Sequence, residues 1–275
     1  GQGLPGFSEP QAATQADGPA PVDVPMDVIL GKLPRMKRQA EHRARTLVPM
    51  DVTGLDLAEI SLQVMRHPTV ANKSFLITIG DRTVGGLCSR DQMVGPWQVP
   101  VADCAVTLAD YESLRGEAMA MGERTPLAIG NAPASGRMAV AEALTNLAAA
   151  DVATLEDIKL SANWMAACGF EGQDAALFDT VNAVSTLCQA IGLSIPVGKD
   201  SLSMRTRWDD QDQPKEVVAP VSLVVTAFAP VTDVRKTLTP QLVTDQGETA
   251  LILLDLGQGR QRLAGSVLSN VIDQY

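Results

Sequence analysis

Residues 137–150 read RMAVAEALTNLAAA. Alanine, leucine and methionine dominate, all of them good helix formers, and Ser135 or Gly136 stands where a cap would start the helix. Residues 173–191 (QDAALFDTVNAVSTLCQAI) read as a second long helix, stopped by Gly192, a residue that tolerates the conformation in which helices end. Around these helices lie strand-forming runs. Residues 158–161 (IKLS) are one. Residues 195–197 are another, leading into the turn-like Gly198-Lys199-Asp200-Ser201, and residues 217–230 (VVAPVSLVVTAFAP) are the most strongly β-forming stretch. Upstream, residues 74–79 (SFLITI) end at the turn signal Gly80-Asp81 and pair in expectation with residues 83–87 as a hairpin. Residues 99–108 (VPVADCAVTL) read as a further strand with Pro100 near its start. Residues 56–66 carry Leu57, Ile60 and Val64 at helical spacing and stop at His67-Pro68, since proline disfavours helix in the residue before it. Strands and long helices interleave without strict βαβ alternation. The expected class is therefore α+β, with helices packed on one face of a mixed β-sheet.

The ends of the chain read differently. Residues 1–23 are rich in Gly, Pro, Ala and Gln, lack apolar periodicity, and are expected to be a flexible tail. Residues 24–68 read as a linker with a short helix. They hold the most basic run, Lys32, Arg35, Lys37, Arg38, Arg43 and Arg45, which suits either a solvated linker or docking onto an acidic neighbour. The folding unit is expected over 69–230. From Val231 a new element begins, with residues 251–254 (LILL) as a buried-strand pattern opening a further subdomain. The start at Gly1-Gln2-Gly3 without Met, and the end at Tyr275 just after a helix-like segment, read as those of a fragment.

Composition excludes several classes. Hydrophobic residues make up 45% and aromatics only 4%, so a core must be built from aliphatic side chains and methionine. A formal net charge of −10 repels a phosphate backbone, which argues against nucleic acid as a general partner. It does not argue against a small phosphorylated ligand, which local N–H groups and Mg²⁺ can hold. No apolar run reaches membrane-spanning length. Cys88, Cys104, Cys168 and Cys188 form no C-x-x-C pair and no histidine adjoins them, so they read as reduced, packed thiols of a cytoplasmic protein, without a zinc site.

Four sets of residues could carry chemistry. Asp103 lies inside the apolar run 100–106. A carboxylate on a buried strand must be paired, hydrogen-bonded or metal-bound, unless it sits at the strand end and reaches solvent or a backbone N–H. Glu142 and Asn146 are four apart on the best helix and share one face. Two oxygen donors one turn apart can hold a hard cation such as Mg²⁺, although a solvated polar stripe is the commoner meaning of such spacing. Gly198-Lys199-Asp200-Ser201 offers close backbone approach, a point charge and a hydroxyl, without the spacing of a P-loop. Within residues 85–97 (GGLCSRDQMVGPW), Arg90 beside Asp91 could bind an oxyanion or form an ion pair.

Several strings together resemble the large, single-chain form of phosphoribosylformylglycinamidine synthase. They are residues 66–71 (RHPTVA), 80–86 (GDRTVGG), 89–103 (SRDQMVGPWQVPVAD), 142–146 (EALTN), 159–165 (KLSANWM) and 196–204 (PVGKDSLSM). Ala141 departs from the glycine common in relatives. The resemblance runs from about Val24 to the C-terminus. It implies an aminoimidazole ribonucleotide synthetase-like subdomain of the second of two fused repeats. The first repeat and the glutaminase domain would be partners supplied from outside this chain. It implies an enzyme that uses ATP and glutamine to convert formylglycinamide ribonucleotide to formylglycinamidine ribonucleotide. It also implies an auxiliary ATP/ADP site with Mg²⁺, with Ala102 contacting nucleotide and Asp103, Glu142 and Asn146 binding metal. In short-form relatives a turn at the place of Gly198 and Ser201 belongs to the substrate site, and Asn163 is expected to face it. Lys199 stands where those relatives tend to have Asn. No catalytic residue is assigned, and no cysteine here inherits the glutaminase's nucleophile.

Overall fold

A computed structural model describes residues 23–32, 37–43, 47–80, 82, 86–260 and 262–274. The chain divides into two units, with the boundary in sequence between Lys37 and Arg38. In the first, Met26–Leu30 is a short helix, α1. The expected tail, apart from Asp23, lies outside the described residues, as do Arg35 and Arg45 of the basic run.

The second unit is built on a five-stranded sheet. Its strands are β1 (Cys104–Leu108), β2 (Gly116–Glu123), β3 (Lys159–Met165), β4 (Ser194–Ser201) and β7 (Ser222–Val231), in the order β1-β2-β7-β3-β4. Neighbours are antiparallel except β3 and β4, which run parallel, so the sheet is mixed. Parallel neighbours need a crossover, and the helix α5 (Gln173–Ala190) supplies it between them. A separate hairpin pairs β5 (Arg205–Asp210) with β6 (Gln213–Val218). Gln211 and Asp212 both have positive φ at its tip, as a two-residue turn matched to strand twist demands.

One face of the sheet is buried. On β7, Leu223, Val225, Ala227, Ala229 and Val231 alternate inward, and on β2 Gly116, Ala118, Ala120 and Gly122 do the same. The helices α4 (Ala128–Leu147) and α5 cover this face. Ala139, Val140, Ala143 and Leu147 of α4 and Val184 and Cys188 of α5 join the same core. The small residues of β2 set how close α4 comes. A Cβ on Gly122 would lie 2.1 Å from the Ala139 carbonyl oxygen, so only glycine permits this approach. The other face stays open, with Met121 and Phe228 exposed and Met119, Val224 and Thr226 half-buried. The α+β class with helices on one face of a mixed sheet is thus the observed architecture.

Several local expectations change. Residues 74–79 are a helix, α3 (Ser74–Ile79), not a strand. Their β-forming side chains find no strand to pair with, and β propensity reflects pairing and packing more than the backbone itself. Of the expected partner strand, residues 83–85 lie outside the described residues. Helix α4 starts well before residue 137, and neither Ser135 nor Gly136 caps it. Asn131 leaves the helical region and its Oδ1 accepts from Ala134 N at 3.0 Å, with Pro133 tolerated in the first turn. Ser135 is buried and donates to Arg124 O at 2.6 Å. The run 217–230 is split around Pro220 between β6 and β7. Residues 251–254 form no strand and are exposed, Leu253 at 90%. By contrast, α2 (Leu57–Arg66) ends at His67 as expected and is capped by Asp56, whose Oδ1 accepts from Glu59 N at 2.8 Å.

Candidate functional site at the open sheet edge

The ladder between β1 and β2 stops at the pair Cys104 and Ala120, because the chain before Cys104 leaves the sheet. Val101 bridges Met93 instead, and Ala102 N donates to Gln92 O at 3.0 Å. Asp103 therefore lies in a bend before β1, exposed, and not on a buried strand. Of the two readings left open for it, the strand-end carboxylate that reaches solvent is the one observed, because Pro100 and the 92–94 segment take these residues out of the ladder.

Where β1 is missing, α4 takes its place. Asn146 Nδ2 donates to Met121 O at 3.0 Å, and Glu142 Oε2 accepts from Glu123 N at 2.9 Å. Met121 and Glu123 are the next residues in line whose backbone groups face the β1 side of β2. Glu142 and Asn146 thus satisfy two of the groups that the short β1 leaves unpaired, Met121 O and Glu123 N. Gly122 between them makes this possible by letting α4 lie against the strand. Each side chain is anchored through one atom only. The second carboxylate oxygen of Glu142 and the amide oxygen of Asn146 make no hydrogen bond among the described residues.

Glu142 and Asn146 border a cavity of about 590 Å³ over the open face of β1, β2 and β7. Ala102, Asp103, Glu142 and Asn146 all line it, together with Arg82, Arg90, Asp91 and Glu123. A smaller adjoining cavity of about 160 Å³ shares Arg90, Ala102, Asp103 and Asn146. Asp91 accepts from Arg82 Nη2 at 2.6 Å and from Met93 N at 2.8 Å. The Arg82 guanidinium, then the Met93 amide, hold its carboxyl below the usual carboxylate range. Asp91 therefore pairs with Arg82 and not with its sequence neighbour Arg90. Burial pushes the Cys104, Cys168 and Cys188 thiols up, which keeps them protonated and inert. All four cysteines are free.

The other candidate set is divided. Gly198 and Ser201 are not in a turn but inside β4, the sheet's edge strand. Their turn-like composition is overridden by pairing with β3, after a register shift near Pro196 that leaves one extra residue in β4. Asn163 pairs with Lys199 and Met165 with Ser201 on the open face, while Gly198 pairs with Ala162 on the helix side. Gly198 there lines a cavity of about 350 Å³ with Trp164, Leu177 and Val181. Ser201 Oγ accepts from Lys199 Nζ at 2.8 Å. Asn163 Oδ1 is buried without a hydrogen-bond partner. In register, Glu123, Val224, Asn163 and Lys199 form one row across β2, β7, β3 and β4, so the two candidate sets share a face.

Reading the sequence missed Gly122, Glu123 and the whole of β2. The signal was present in residues 116–123 (GEAMAMGE), which alternate small with larger residues at period two, but glycine and alanine are depleted in strands. Among the described residues no three His, Cys, Asp or Glu side chains cluster closely enough to hold a metal by themselves. No helix among them is long and apolar enough to cross a membrane.

A mixed sheet covered by helices on one face is the architecture of an aminoimidazole ribonucleotide synthetase-like domain. The chain belongs to the FGAR-AT PurM_N-like domain family, whose model matches residues 72–230. Among solved structures it is similar to Thermotoga maritima PurL complexed with ATP, at 16% identity and a TM-score of 0.47, over 79% of this chain and 30% of that one. PurLQS from Thermotoga maritima aligns at 17% identity and a TM-score of 0.46, over 74% and 29%. The chain spans less than a third of the length of either structure.

Proposed function

We propose that this chain is a nucleotide- and Mg²⁺-binding part of a phosphoribosylformylglycinamidine synthase. In the whole enzyme, ATP and glutamine would serve to convert formylglycinamide ribonucleotide to formylglycinamidine ribonucleotide. The observation that carries this reading is the shared cavity: Asp103, Glu142 and Asn146 border one space with Ala102 beside them. The donor chemistry fits a hard divalent cation, since each side chain offers an oxygen with no hydrogen bond among the described residues. Two carboxylates and one amide do not enclose an ion, which suits Mg²⁺, an ion that keeps sites for water and for ligand phosphate oxygens. Bound there, it would neutralise the phosphates of the nucleotide. Because Ala102 N is engaged by Gln92 O, any nucleotide contact by Ala102 falls to its carbonyl or methyl group.

Family membership and the open face support the remainder. Asn163 and Ser201 share that face with the cavity and would contribute to a substrate site; Gly198, on the opposite face, would act only by allowing β4 to approach β3. The exposed Met121 and Phe228 would meet the sheet of another repeat of the same enzyme, and a glutaminase domain would deliver ammonia. The domain division 24–68, 69–230 and 231–275 and a cytoplasmic setting belong to the same proposal. A second reading is a structural nucleotide module without turnover, favoured by the tethering role of Glu142 and Asn146. Titration calorimetry of this chain with ADP and Mg²⁺ tests both. Saturable Mg²⁺-dependent binding, lowered about tenfold or more by Asp103→Asn, is expected; absence of binding overturns the proposal.

A further inference from the structure

Arg82 and Arg90 both line the sheet-edge cavity and both have a buried Nε without a hydrogen-bond partner; what distinguishes Arg90 is the rest of its guanidinium. Its Nη2 reaches only two backbone carbonyls, Cys104 O at 3.4 Å and Leu238 O at 3.3 Å, both long for a charged donor. Among the described residues it forms no ion pair, whereas the neighbouring Arg82 is matched by Asp91. A guanidinium carries five N–H donors in a planar fork, and leaving them unmet in a part-buried position is costly. Arg90 lines both the larger and the smaller cavity beside Ala102 and Asp103.

We propose that Arg90 takes an anionic oxygen of the ligand in this cavity, and that the anion enters only together with a divalent cation. The second half follows from the wall. Once Arg82 and Asp91 neutralise each other, Asp103, Glu123 and Glu142 face Arg90 alone, so a free phosphate group meets net repulsion. A divalent cation on the carboxylates removes that repulsion and leaves the planar fork to orient the anion, a task for which arginine is suited and lysine is not. This inference rests on the proposed nucleotide reading and assigns to that site its anion-contacting residue. Arg90 would act by positioning the phosphates.

The test compares the intact chain with Arg90→Gln and Arg90→Lys, by calorimetry with ADP, pyrophosphate and adenosine, each with and without Mg²⁺. A charge-assisted hydrogen bond lost to a buried partner corresponds to a drop of roughly tenfold to hundredfold. That drop is expected for Mg·ADP and Mg·pyrophosphate with Arg90→Gln, with partial recovery in Arg90→Lys and no change for adenosine. Without Mg²⁺, neither anion should bind measurably. If Arg90→Gln does not fold, Arg90→Lys must still lose affinity for Mg·pyrophosphate relative to adenosine. Equal Mg·ADP binding by the wild type and a folded Arg90 variant overturns the inference while the nucleotide reading stands. Wild-type binding of Mg·pyrophosphate through Arg90 but not of Mg·ADP overturns the nucleotide reading alone. Binding of neither, or equally tight binding of the anions without Mg²⁺, refutes the Arg90 proposal as stated.

Discussion

Replacing Gly122 by alanine tests the link between the core and the cavity. The added Cβ would lie 2.1 Å from Ala139 O, 2.5 Å from Ala143 N and 3.0 Å from Glu142 Cβ. Ordinary contact is about 3.5–4.0 Å, and the nearest atoms belong to the backbone of α4, which cannot turn aside as a side chain can. The helix must therefore withdraw by roughly 1 Å or more to restore such contact. Forcing extra volume into a packed core costs about 1–3 kcal/mol. The withdrawal also stretches the bonds from Asn146 to Met121 O and from Glu123 N to Glu142, worth about 0.5–1.5 kcal/mol each. Together this is roughly 2–6 kcal/mol, which in a unit of this size lowers the melting temperature by about 10 °C. Differential scanning fluorimetry, supported by urea melts to verify an unchanged m-value, measures it. Mg²⁺-dependent nucleotide binding should weaken in parallel, because Glu142 and Asn146 move with the helix. A variant melting within about 2 °C of the wild type would refute the claim that β2 and α4 are in contact through this glycine.

Three further outcomes are expected. Gly136→Ala should cost less than Gly122→Ala in the same melts, since its Cβ meets the methyl groups of Thr180 and Val184, which can shift, and not a backbone. Glu142→Gln keeps an acceptor for Glu123 N but removes the charge, so it should leave the melting temperature within about 2 °C and lower Mg²⁺ affinity; Glu142→Ala should lower both, and calorimetry beside fluorimetry separates them. Arg235 bonds both oxygens of Asp233 and holds its carboxyl at about 2, below the ordinary 3.8. A depressed carboxylate contributes its stability above the ordinary value and loses it as pH falls through the folded value, so the contribution disappears between 3.8 and about 2. Arg235→Gln should move the acid-unfolding midpoint, followed by circular dichroism, to higher pH.

The long helices were legible in the chain because their signals are local. Residues 173–191 anticipated α5 to within a residue at its end, and His67-Pro68 marked the end of α2, since helix breakers act over a few residues. Glu142 and Asn146 were legible as a pair for the same reason: residues four positions apart on a helix share a face. What the chain could not state was anything that depends on a partner strand. Residues 74–79 and 251–254 have the side chains of strands but no ladder to join, and β2 has a ladder without the side chains of a strand. Residues 198–201 look like a turn and are held extended by β3. Only the tertiary structure decided that β1 ends at Cys104 and that α4 completes the sheet edge in its place. That non-local arrangement sets Asp103, Glu142, Asn146 and Arg90 around one space, and strand pairing and helix approach are settled between residues far apart in sequence.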